Sequence, residues 1–312
     1  MQVVLLSFLY GQTKQERIKF LEKFYCAKDL IFLYPMWHQI LETQGFIYED
    51  RLTNKGLFTI LTSSRIHRAE TFMKRALLGI NPPFDIYVLF KEPVELKSSF
   101  VDDEDVEAAK DVMYRHGLLD DVIEVMDLYR QADPFISRED ENFLLWLNGF
   151  FYFIPHLSRI PGNPGKLSYQ YEYVIRTMKE SRRLGLANYS DEDVYLTACS
   201  IKNKGFPFKW SLIGTIHGVG YFYGHALIMA LKSIGAYPPK LGSSIANYFT
   251  KIPELEKVLA EVIQIRHNSK DFSKKVAQKL VDNLRNSSGV FRDEKVEKIL
   301  NFDFESQRIN QN

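Results

Sequence analysis

Ile213-Gly214-Thr215-Ile216-His217-Gly218-Val219-Gly220-Tyr221-Phe222-Tyr223-Gly224-His225-Ala226-Leu227 is the most informative run of the chain. Apolar residues lead in at Ile213 and Ile216 and resume at Leu227, and Gly218 and Gly220 flank a single Val219 between them. Glycine enters left-handed backbone without steric cost, so the pair predicts a tight turn joining two helices. The second helix then starts with amide groups that no preceding turn can bond. A helix start of this kind attracts anions, and a phosphate can dock there without side-chain readout. Gly224, at a small position one turn later, lets two helices approach closely.

The surroundings are basic. No Asp or Glu occurs from Val194 to Pro253, a stretch that holds Lys202, Lys204, Lys209, Lys232, Lys240 and Lys251. An acid-free basic segment raises a positive local potential that draws phosphate backbones or diphosphates. The net charge of +1 conceals a strong asymmetry. Residues 1–158 carry 17 Lys and Arg against 24 Asp and Glu, whereas residues 159–312 carry 23 against 15. Either the acidic half packs on the basic segment and neutralises it, or the segment is free to meet a polyanion.

The 312 residues are 46% hydrophobic and 25% charged, an ordinary globular composition that excludes collagen, low-complexity and disordered architectures. Cys26 and Cys199 are too few for a disulfide framework or a zinc cage and fit a reducing cytosol. Met1 to Tyr10 has no basic region before its apolar run and no small-residue cleavage site, so no signal peptide is expected. Trp210 to Leu231 lacks charged residues over a length that would span a bilayer. Its histidines, tyrosines and glycines dilute the apolar transfer energy, and a buried helical segment broken by a glycine turn is expected instead. The seven histidines show no metal-ligand spacing.

Along the chain the patterns predict a mainly α protein: a small mixed α/β part over residues 1–100, then an all-helical body over 101–312. Val3 to Leu9 fits a buried strand or a helix start, and Asp29 to Leu41 reads as helical despite Pro35. Phe84 to Phe90 reads as a strand whose Asp85 lies at a solvated end. Asp102, Ser137 and Ser190 stand where helix caps are expected, each followed by acidic residues that suit a first turn.

The glycine run resembles the helix-hairpin-helix element of DNA-binding proteins, whose pattern is L-x-x-L-P-G-x-G-x-x-x-A-x-x-I. Ile213 and Ile216 match the leading apolar positions, Gly218 and Gly220 the paired glycines, Gly224 the small position and Leu227 the last apolar one; His217 replaces the usual proline. The resemblance covers about 15 residues. It implies that Gly218, Val219, Gly220 and Tyr221 hold a DNA phosphate, with Lys202, Lys204, Lys209, Lys232, Lys240 and Lys251 extending the contact. DNA glycosylases of that superfamily use an Asp about twenty residues after the second glycine, and many use a Lys two residues after it. Here Phe222 stands at the Lys position, and the first carboxylate after Gly220 is Glu254. Gly45 to Leu57, with its Leu52-Thr53-Asn54-Lys55-Gly56, resembles the wing and following helix of winged-helix domains. Asp120, Asp121 and Glu124 resemble the D-D-x-x-E motif of class I terpene synthases, which implies Mg²⁺ and a diphosphate; the second metal motif of that family has no counterpart here.

Three functions follow as expectations. The first is a cytoplasmic nucleic-acid-binding protein, for DNA and its processing or repair, held through the glycine turn. The second is an all-α, Mg²⁺-dependent enzyme acting on a diphosphate or apolar substrate through Asp120, Asp121 and Glu124. The third is a non-catalytic protein-interaction module using its oppositely charged halves. His217 and His225, on either side of the turn, either contact an anion or satisfy backbone groups.

Overall fold

A computed structural model describes residues 1–90, 94–132 and 136–309. It is 67% helical, and the one sheet among the described residues has two strands, so the fold is mainly α. Contacts divide the chain into Met1–Gly79 with Thr177–Tyr189, and Ile80–Arg176 with Ser190–Asn312. The division falls at Gly79 rather than near residue 100. Gly79 closes the Ile66–Leu78 helix in the left-handed conformation, with φ of 60°, and Asn81 at once caps the next helix.

In the first unit, Val3 to Leu9 belongs to the Gln2–Tyr10 helix, and Pro35 lies within the Ala27–Thr43 helix. Residues 45–57 form a short hairpin and then a helix. Ile47 pairs with Leu52 and Tyr48 with Arg51, and Thr53 caps the Asn54–Leu61 helix. Glu49 and Asp50 both have positive φ, as a two-residue hairpin turn requires. The Asp50 carboxylate stands 3.0 Å from Arg17 and 2.8 Å from His38, which anchors a turn made without glycine.

In the second unit, Phe84 to Phe90 is not a strand. Pro82–Tyr87 is a buried helix, its first turn capped by the Asn81 side chain and opened by Pro82 and Pro83. Proline presets the helical φ at a first turn, and a short apolar run buried on all sides carries no periodicity to tell helix from strand. Asp85 is fully buried, bound by the Tyr129 hydroxyl, and not at a solvated end. The caps at Asp102, Ser137 and Ser190 all form, each closing a capping box with the acidic residue three positions on.

The core of this unit is the Arg138–Leu147 helix and the 3₁₀ turn Phe150–Phe153. Phe143, Trp146, Phe150 and Phe151 are fully buried, and Phe143 stacks on Tyr87 at 4.0 Å. Gly149 between them has φ of +86°, and a Cβ there would meet His225 Nδ1 at 2.6 Å. This contact seats the helix that follows the glycine turn.

Candidate nucleic-acid interface

The turn forms where the glycine pair predicts it. Its leading element is a 3₁₀ helix, Phe208–Thr215, rather than an α-helix; Pro207 immediately precedes it. Ile216 leaves in extended conformation, the Val219 amide donates to the Ile216 carbonyl at 3.1 Å, and Gly218 takes φ of +81°. Gly220 then caps the Tyr221–Ser233 α-helix in extended backbone, and among the described residues no side chain bonds that terminus. A Cβ on Gly218 or Gly220 would meet nothing within 4 Å, so both glycines face open space. The first intrahelical amide is that of Gly224, which donates to Gly220 at 2.8 Å. Those of Tyr221, Phe222 and Tyr223 find no acceptor among the described residues.

Val219 and Tyr221 are buried, so their side chains anchor the turn and are not offered to a partner. Tyr221 and Phe206 both pack on the His225 ring, at 4.4 and 4.7 Å. The small residue at 224 is required, but not for helix–helix approach: a Cβ there would stand 2.5 Å from the Phe206 ring. His225 is buried and bonds the Gly205 carbonyl through Nε2 at 2.9 Å. Burial pushes its pKa down to about 4, so the neutral ring donates that bond. It satisfies a backbone carbonyl. His217 is exposed on the turn.

A groove of about 660 Å³ runs beside the turn, lined by Thr215, His217, Gly218, Asn283, Ser287 and Arg292 among others, with Glu294 the one carboxylate among its described residues. Of the six lysines, two are neutralised. Lys202 pairs with Asp293 at 2.5 Å, and Asp293 is buried. Lys232 pairs with Asp121 and sits in the last turn of the Tyr221–Ser233 helix, roughly 18 Å from Gly220 at 1.5 Å per residue. Lys204, Lys209, Lys240 and Lys251 are exposed and form no ion pair among the described residues. Asp121 thus neutralises a lysine at the far end of the helix, while Gly218 and Gly220 at its start stay exposed.

The Asp120, Asp121 and Glu124 trio does not assemble as a metal site. Asp120 and Glu124 are exposed, and Asp121 is taken by Lys232. Among the described residues no three His, Cys, Asp or Glu side chains stand close enough to hold a metal ion. No helix among them is long and apolar enough to cross a membrane.

What sequence reading missed is Arg266, because nothing local marks it. It follows an amphipathic helix pattern, Leu255–His267, yet it is buried, with its guanidinium on the carbonyls of residues 151–157. Comparison with protein families, with characterised proteins and with solved structures finds no match to this chain.

Proposed function

We propose that the protein binds nucleic acid, DNA first, in the cytosol, through the backbone of the 216–221 turn. The observation that carries this reading is the open helix start: two glycines facing solvent, three amides without acceptors and no side-chain cap. Amides of this kind hold a phosphate non-covalently, and the exposed Lys204, Lys209, Lys240 and Lys251 add charge without sequence readout. The reading assigns no catalytic step, since neither the lysine nor the aspartate of the glycosylase pattern is present.

Gly220→Asp tests it. Aspartate is a favoured cap in the extended backbone that Gly220 already has, so the variant should keep or gain a few tenths of a kcal/mol of stability. Its carboxylate occupies the same amides that a phosphate would take. Fluorescence anisotropy with labelled single- and double-stranded DNA and RNA at low salt should give saturable binding to the parent chain, weakened by about tenfold in the variant. No binding at low salt, or equal affinity in the variant, would overturn the proposal.

A further inference from the structure

Arg266 presents a second feature, on the side chains of Phe222 and Tyr223, whose amides open the helix after the glycine turn. The residue is 92% buried, its relative exposure being 8%. Its Nη1 donates to the carbonyls of Tyr152 at 2.7 Å and Ile154 at 2.9 Å, with Phe151 at 3.3 Å, and its Nη2 donates to Leu157. The guanidinium carbon stands 4.0 Å over the Phe222 ring. Guanidinium carries five N–H groups and keeps its proton in any protein environment. The Nε–H finds no acceptor among the described residues, and Nη2 has one hydrogen to spare. No described carboxylate pairs with it. Carbonyl dipoles bring partial charge only, so a full positive charge stands buried without a counter-ion, which is costly unless an anion completes it.

The charge is not sealed in. Arg266 lines a cavity of about 340 Å³, together with His156, His267, Ser158, Tyr223 and Phe222. Pro155, Leu157 and Ile263 supply apolar wall. This volume lies at the lower end of small-ligand sites, and a mainly apolar lining with a few convergent polar groups is their usual composition. No carboxylate is among the described residues of that wall, though His156 Nε2 stands 3.7 Å from the Asp105 carboxylate. Burial and the neighbouring Arg266 charge both push the His267 ring towards its neutral form.

We propose that this cavity binds a small organic oxyanion, a phosphate ester or a carboxylate, with the free Nε–Nη2 edge of Arg266 gripping the head group and the apolar wall taking the body. That edge suits two parallel hydrogen bonds to one oxyanion. The proposal does not depend on nucleic-acid binding at the glycine turn.

The test uses the full chain with phenyl phosphate, benzoate and inorganic phosphate as probes, against sodium chloride at matched ionic strength. Phenyl phosphate or benzoate should raise Tm saturably, with a dissociation constant below about 1 mM, and move the His156 and His267 ring resonances. The first two probes tell a phosphate from a carboxylate head group, and inorganic phosphate reports the contribution of the body. Arg266→Lys should abolish the shift. Because that variant also loses carbonyl bonds and can fail to fold, Ser158→Trp provides a second arm: it fills the cavity from an exposed loop and leaves Arg266 intact. It should remove the ligand-induced shift while the Tm without ligand and the affinity for DNA stay unchanged. No saturable effect beyond chloride, or an effect that survives Ser158→Trp, would overturn the proposal.

Discussion

At the scale of single residues, His225 and its neighbours show how one buried ring organises the region. The ring lies between Phe206 and Tyr221, against the bare backbone of Gly149, and bonds Gly205. Burial lowers its folded pKa to about 4, below the ordinary histidine value of about 6.5 in an unfolded chain. Between those values the unfolded chain binds a proton that the folded chain does not, so stability rises with pH across that window. Urea unfolding should therefore show stability complete above about pH 6.5 and declining towards pH 4, by on the order of 3 kcal/mol, with the decline flattened in His225→Gln. Gly224→Ala should destabilise by about 1–3 kcal/mol, because the added methyl meets the Phe206 ring and that ring is held by His225. The need for a small residue at 224 was legible in sequence. The reason was not, because Phe206, Gly205 and Gly149 approach through the fold and share no local pattern with it.

At the scale of elements, the helix starts were the most legible feature. Ser190, Ser137 and Asp102 each signal a cap through their own side chain and an acid three residues on, and that geometry closes within four residues. The Pro82–Tyr87 helix has a strand-like sequence because burial on every side erases the periodicity on which the distinction rests. The last helix of the chain, Glu294–Ile309, is fixed at its start by Asp293, whose carboxylate accepts from the Lys295 and Val296 amides and pairs with Lys202. Asp293→Asn keeps an amide-accepting cap and loses only the charge pair, whereas Asp293→Ala loses both. Chemical denaturation should place the alanine variant about 2–4 kcal/mol below the parent, with the asparagine variant between them.

At the scale of the whole molecule, charge distribution decides what the basic segment can do. Lys202 and Lys232 already have carboxylate partners, so the four exposed lysines are the ones left to meet a polyanion. With four phosphates neutralised, the logarithm of the DNA affinity should fall against the logarithm of salt with a slope of roughly −3 to −4. Lys240→Gln and Lys251→Gln together should make that slope shallower, whereas Lys232→Gln should leave it unchanged. A Lys232→Gln variant with the larger effect would show that the Asp121 pair opens on binding.

By itself the sequence determined the mainly α class, the helix starts at Asp102, Ser137 and Ser190, and the position of the glycine turn, because propensity, capping and left-handed backbone are settled among residues a few places apart. Only the tertiary structure decided which lysines form no ion pair among the described residues, that Val219 and Tyr221 turn inward while Gly218 and Gly220 face solvent, and that Arg266 is buried with no counter-ion among the described residues. Those outcomes depend on which groups from distant parts of the chain share a low-dielectric neighbourhood. Coulomb pairing and desolvation act through space, at distances that the order of residues does not encode.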